Sequence, residues 1–360
     1  MEVGTVSDLG VLSSRVQEFY RDNWARPIAL SDAGFYSWQC VQTPSGPSGD
    51  NCVIAYDVKA DRIAGVMGLT PRQFSLNERL VDGAEMTTWI VHEDYRTSGA
   101  GAKILKQIMA SYEVLIGMGI TEQALPIYLR SGFRFMRHIP RYIKVINYER
   151  IKPFCQTNDL GQRLVAKWSK TNIGNYRQAP LSDGDIDSAY KKARAHLNMF
   201  DRGAAQINWR YRKHPMFHYE VHHVSCGKTD DGAIVALRIH DTEAGFRICH
   251  VMDLFGNTQS IDAGRSFVED YALQNGVDVI DFYCTSSAIS RHFIANQWFS
   301  VQDDACLQFP HLFSPLEMRN PPTTSLIYWA RQGFSELADL SKLYLTKQDA
   351  DLDRPVLQQG

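Results

Sequence analysis

Apolar and polar positions along this chain fall into two alternating rhythms. Within Ser7–Trp24 the apolar residues Leu9, Leu12, Val16, Phe19 and Tyr20 share one helical face, with Ser7 or Asp8 placed to cap it. The Gly-, Pro- and Ser-rich stretch 42–51 reads as a loop. Strand-like runs follow at 52–58, 62–69 and 83–91, the first two joined by a hairpin turn at Lys59–Arg62. Residues 102–112 put Ile104, Leu105, Ile108, Met109 and Tyr112 on one side and Lys103, Lys106, Gln107 and Ser111 on the other, an amphipathic helix. An apolar run at 114–120, a helix over 122–131 and a strand over 133–147 complete the first half.

The second half repeats that order. Strands are expected at 218–226, 233–240 and 246–255, separated by the turn signals Lys228–Gly232 and Asp241–Gly245. A helix over Ser260–Asn275, a strand over 277–285, a helix over 288–298 and a late strand over 323–331 follow, the last behind the breaker Pro321–Pro322. The similarity lies in pattern; no residue-level repeat is evident. The polar, turn-forming stretch between 155 and 180 marks the division into residues 1–155 and 156–360. The pattern predicts an α/β (α+β) chain of two tandem units with strands and helices in the same order.

Composition narrows the function classes. The 360 residues carry 38 Lys plus Arg against 40 Asp plus Glu, a net charge of −2. That balance argues against nucleic acid as a partner. Apolar runs stop short of the ~18 residues that span a bilayer, and the first residues show neither a basic nor an apolar signal region. The seven cysteines form no CxxC pair and are odd in number, which fits reduced thiols in a cytoplasm.

The chemistry concentrates at Arg96-Thr97-Ser98-Gly99-Ala100-Gly101-Ala102, between an apolar strand and the amphipathic helix. Glycines let successive backbone N–H groups converge. The helix N-terminus adds unpaired donors and partial positive charge, and Arg96 a fixed cation. Such a turn suits a pyrophosphate. The spacing matches neither the dinucleotide fingerprint nor the triphosphate loop.

With these residues the chain resembles the GNAT superfamily of acyl-CoA-dependent N-acyltransferases. Arg96–Gly101 matches that family's pyrophosphate loop. Ala124 and Tyr128, the latter four residues before Gly132-Phe133, match its second signature, and Glu85 stands eleven residues ahead of Arg96, on the strand where many members carry an acid. Where the family often has an asparagine, this chain has Thr121. The resemblance implies two tandem GNAT-like domains, each a mixed, mostly antiparallel sheet flanked by helices, and acyl-CoA as co-substrate. Backbone groups of Trp89, Ile90 and Val91 would meet pantetheine or the thioester carbonyl. Tyr128 would protonate the leaving thiolate, and Glu85 would take the ammonium proton directly or through water.

The second-half counterpart of the loop, 255–266, lacks RxxGxG, so one CoA site is expected. Segments 207–221 and 250–256 resemble two-domain GNAT enzymes that acylate dTDP-linked 3-amino-3,6-dideoxyhexoses for surface polysaccharide. That resemblance implies an acetyl or short 3-hydroxyacyl donor and a nucleotide-linked amino sugar as acceptor. Trp209, Arg210, Tyr211 and Arg212 combine aromatic faces with guanidiniums suited to a base and a diphosphate. Asp253 is a second candidate base, and Tyr283, Thr285 and Ser286 are candidate sugar contacts at a strand end. The spacing of His214, His218, His222 and His223 fits no metal pattern. No cysteine has the surroundings of a nucleophile, so direct attack in a ternary complex is expected. An amino acid, peptide or antibiotic amine remains an alternative acceptor, and a non-catalytic CoA-binding scaffold an alternative role.

Overall fold

The computed structural model describes residues 1–227, 232–301, 306–313, 316–320, 323–350, 353, 355 and 357. The expected turn at 228–231 and the breaker Pro321–Pro322 lie outside them. The first half runs β1 (Glu2–Thr5), α1 (Ser13–Asn23), α2 (Ala33–Tyr36), β2 (Val53–Asp57), β3 (Arg62–Leu76) and β4 (Arg79–Val91). It continues through α3 (Ala100–Ser111), β5 (Val114–Met118), α4 (Leu125–Arg130), β6 (Arg134–Met136) and β7 (Arg141–Val145). A connecting stretch holds α5 (Tyr148–Ile151), β8 (Gln156–Thr157) and α6 (Asp159–Trp168).

The second half begins with β9 (Arg177–Ala179), α7 (Asp183–Arg194), β10 (Met199–Phe200) and α8 (Ala204–Ile207). Then come β11 (Glu220–Ser225), β12 (Ala233–Asp241), β13 (Arg247–Gly256), α9 (Ile261–Gln274) and β14 (Val279–Tyr283). It ends with α10 (Ser287–Ala295), β15 (Phe299–Val301), β16 (Leu307–Gln308), β17 (Leu326–Ala330) and α11 (Phe334–Leu337).

The strands form two large mixed sheets. One has the order β1-β2-β3-β4-β5-β17-β6, with β10 added to β3; the other is β15-β7-β14-β13-β12-β11-β9. Each has one parallel pair, β4 with β5 and β13 with β14. The strands β7 and β17 are exchanged. β7 belongs by position to the first half but lies between β14 and β15, and β17 lies between β5 and β6. Both therefore cross the expected 155/156 division. The expected single strand 133–147 is split between sheets, with Arg137–Pro140 as the break; Pro140 offers no N–H to a ladder.

Other elements depart from expectation for local reasons. α1 begins at Ser13 rather than beside Ser7, because Thr5 and Asp8 bond each other in a tight turn. β3 runs on past Leu69 as a hairpin with β4, turning at Asn77 and Glu78, both at positive φ. Pro71 fits there because β3 has no second neighbour at that point, between β2 and β10.

The halves meet through paired short helices. α2 runs on into a wide helical turn, Ser37–Val41, and α8 into its counterpart, Asn208–Arg212. Trp38 and Trp209 stack at 4.8 Å, and each indole N–H donates to the other's carbonyl at 3.0 Å. The residue-level repeat that the sequence hides survives as this reciprocal contact.

Candidate active site

The first-half cleft opens where β4 and β5 part. Their pairing ends at Met86 and Gly117, and the β3–β4 ladder bulges at the next residues, between the pairs Leu69–Met86 and Met67–Trp89. A bulge re-aims side chains and backbone groups. A cleft of about 1160 Å³ lies there. Met86, Thr87, Thr88 and Trp89 form one wall, and Met118–Thr121, Ala124 and Tyr128 another. Residues 24 and 26–29, after α1, and His311, Phe313, Arg319, Asn320 and Thr323–Ser325 close the remaining sides, with Pro355 and Leu357. Thr87 Oγ1 and Trp89 Nε1 are buried without a hydrogen-bond partner among the described residues.

The glycine turn sits at the end of β4. Glu93–Tyr95 makes one short helical turn, and Ser98 accepts from Ala100 N–H at 3.3 Å. Gly99 stands ahead of α3 with φ +76°, a left-handed conformation that favours glycine. Arg96, Thr97, Ser98, Gly99 and Ala102 are exposed; Ala100 and Gly101 are buried. Gly101 is required by packing: a Cβ there would lie 2.8 Å from the Trp89 ring and 3.3 Å from Val91. Ile90 and Val91 are half-buried on the same strand. Tyr128 packs edge-on against Trp89 at 5.2 Å and Phe133 at 5.1 Å. Burial raises its phenol pKa, so the hydroxyl stays protonated.

The two candidate bases are elsewhere. Glu85 and Asp253 do not line the cleft. Glu85 pairs with Arg72 at 3.0 Å, and Arg72 lies 3.3 Å from Asp349. Asp349 bonds Arg202, which donates to Asp253 at 2.8 Å. The five residues form one buried chain of alternating charge between the halves. Burial raises the Asp253 pKa, against the pull of Arg202. Asp253, the second candidate base, has its carboxylate enclosed by Arg202, Tyr344 and Thr346.

The candidate acceptor residues of the second half also fall away from the cleft. Trp209 stacks on Trp38, Arg210 donates to the Ala350 carbonyl, and Tyr211 donates to Gln348. Arg212 pairs with Asp183 at 3.5 Å. Tyr283 is buried, and the hydroxyls of Thr285 and Ser286 bond the carbonyls of Leu343 and Ser341. Of these, Arg210, Tyr211, Thr285 and Ser286 bond the C-terminal segment. The segment's own charges, Lys347, Asp349 and Asp353, are buried too: Lys347 beside Asp281, Asp353 against Arg238 and Tyr219. Sequence reasoning missed them. Their signal was a lone charge inside an otherwise apolar strand, as at Arg72, Asp253 and Asp281, each of which needs a buried counter-ion.

Among the described residues no cluster of His, Cys, Asp or Glu could hold a metal, and no helix is long and apolar enough to cross a membrane. Burial instead lowers the pKa of His214 and His311 to about 3 and that of His250 to about 4. Unfolded, each imidazole protonates near the ordinary value of about 6.5. Through the window from there down to about pH 4 the unfolded chain therefore binds more protons than the folded one. The stability contributed is complete above the window and falls as pH drops through it. Urea midpoints at about pH 7 and about pH 5 are expected to show the loss; equal midpoints would contradict neutral burial of the three rings.

The two mixed sheets with their flanking helices resemble the tandem GNAT fold of N-myristoyltransferase. The chain is similar to Saccharomyces cerevisiae N-myristoyltransferase with bound myristoyl-CoA, with a TM-score of 0.50 and 10% identity, over 91% of this chain and 82% of that one. A GCN5-related N-acetyltransferase from Anabaena variabilis ATCC 29413 aligns with a TM-score of 0.46 and 13% identity, over 78% of this chain and 62% of that one. No family profile matches the sequence, and no curated protein matches it significantly.

Proposed function

We propose that this chain moves an acyl group from acyl-CoA to an amine by direct attack in a ternary complex. The observation that carries the reading is the glycine turn ahead of α3, whose Gly101 packs on Trp89, a wall residue of the splayed β4–β5 cleft that Tyr128 also lines. The CoA diphosphate would rest on Arg96–Ala102, and the pantetheine would run along Trp89–Val91. The amine nitrogen bonds the thioester carbon, the C–S bond breaks, and the thiolate takes a proton from Tyr128. The ammonium proton leaves through water, since no carboxylate is among the described lining residues. Tyr128→Phe is expected to lower kcat by about 100-fold with donor affinity kept; steady-state kinetics and calorimetry with acetyl-CoA check it.

For the acceptor, the reading is a dTDP-linked 3-amino-3,6-dideoxyhexose, with an acetyl or short 3-hydroxyacyl donor. Arg26 and Arg319 line the cleft, the latter beside Glu317 at 2.6 Å, together with the hydroxyls of Thr121, Thr323 and Thr324. This lining suits an amine that carries a diphosphate. The test is free-thiol release from acetyl-CoA and 3-hydroxybutyryl-CoA with such amino-sugar nucleotides and with amines lacking phosphate. Turnover confined to phosphate-free amines would remove the nucleotide sugar. Donor binding without thiol release from any amine would favour a scaffold.

A further inference from the structure

The second half has a cleft of its own, and the chain fills it. The two halves open at matching places. In the first, the parallel pair ends at Met86 and Gly117 and the bulge follows at once. In the second, the parallel pair ends at Val251 and Phe282, and a bulge follows between Val251 and Asp253. Counted from the last parallel pair of each half, Met86 and Val251, the residues Asp253 and Leu254 correspond to Thr88 and Trp89. There the first half keeps open space and orphaned polar atoms. In the second half the segment Leu340–Thr346 lies between the parted strands.

The segment is bonded to both lips. On the β13 side, the Tyr344 hydroxyl accepts from Leu254 N–H at 3.1 Å and lies 2.7 Å from Asp253 Oδ1 and 2.6 Å from the Leu254 carbonyl. On the β14 side, Thr285 N–H donates to the Leu345 carbonyl at 3.1 Å, and Leu345 N–H donates to Thr285 Oγ1 at 2.9 Å. Ser287 N–H donates to the Leu340 carbonyl at 3.0 Å. Tyr344 and Leu345 are fully buried. Further along the same tail, Pro355 and Leu357 line the open first-half cleft.

We propose that Leu340–Thr346 is a built-in ligand of the second cleft, standing where the donor would stand in the first. It limits the chain to one donor site and anchors the tail that walls that site. The assignment rests on the acyltransferase reading for what the first cleft takes. The occupancy itself does not depend on it.

The test uses the full chain, acetyl-CoA as the probe, and hydrogen exchange as the structural readout. Calorimetry is expected to give one acetyl-CoA per wild-type chain. In Tyr344→Phe, which removes the hydroxyl and keeps the ring, the Leu254 amide is expected to exchange about tenfold faster, with donor affinity held within about twofold. Thr285→Val supplies an independent variant should the first fail to fold, with faster exchange expected at the Leu345 amide. Two acetyl-CoA per wild-type chain, or unchanged exchange at these amides in the variants, overturns the proposal. A wild-type chain that binds no acetyl-CoA overturns the acyltransferase reading instead, and the exchange data still decide the occupancy.

Discussion

Gly101→Val is expected to weaken acetyl-CoA binding by about 5- to 150-fold. The effect is steric. A Cβ at this position meets the Trp89 ring at 2.8 Å and Val91 at 3.3 Å, so α3 must lift from β4 or Trp89 must turn. Overpacking of this kind costs about 1–3 kcal/mol, and each 1.4 kcal/mol is a tenfold change in affinity. The displaced parts are the N-terminal donors of α3 and the indole that packs against Tyr128, so the strain lowers stability and, where the turn shifts to relieve it, donor affinity by up to the same amount. Calorimetric titration with acetyl-CoA measures it, with a thermal melt to confirm folding. Unchanged affinity in a folded variant would remove the donor from this turn.

The second large effect is expected at Arg202. This guanidinium joins Asp253 and Asp349, and its side chain is fully buried. Arg202→Met would leave Asp253 without its cation and Asp349 with Arg72 alone. Breaking a buried pair in this way costs about 3–5 kcal/mol. The urea midpoint is expected to fall accordingly, with folded protein still binding acetyl-CoA, since Arg202 does not line the cleft. Adding Asp349→Asn to Arg202→Met removes part of the excess charge and is expected to recover some of the loss. A midpoint that does not move would show that the ion chain contributes nothing to holding the halves together.

The order of elements was legible because apolar runs and amphipathic faces are local. Ile104, Leu105 and Ile108 announce α3 by spacing alone, and Gly99 and Gly101 announce the turn ahead of it. Strand partners are not local. Nothing within Arg141–Val145 says that it pairs with β14 instead of β5, and nothing within Leu326–Ala330 says that it reaches back to the first sheet. The site divides the same way. The wall built by Met86–Trp89 and Tyr128 follows from motif and strand. The wall of His311, Phe313 and Arg319 comes from a stretch without periodicity. Glu85 and Asp253 drew notice as charges on apolar strands. Their counter-ions, Arg72, Arg202 and Asp349, are supplied by a long strand, a turn and a polar tail that reads as solvated. Arg210 and Tyr211 were legible as a cluster, but their partners, Ala350 and Gln348, lie more than a hundred residues away.

The exchange of β7 and β17 bears on how the molecule is made. During synthesis β5 and β6 emerge early, yet the strand between them is not translated until residues 326–330. An N-terminal unit that would ordinarily complete itself on the ribosome must wait for nearly the whole polypeptide. In the interval it presents unpaired edges to solvent and to other nascent copies. Two separately expressed halves would each lack an inner strand of their own sheet, so this polypeptide matures as a single late event.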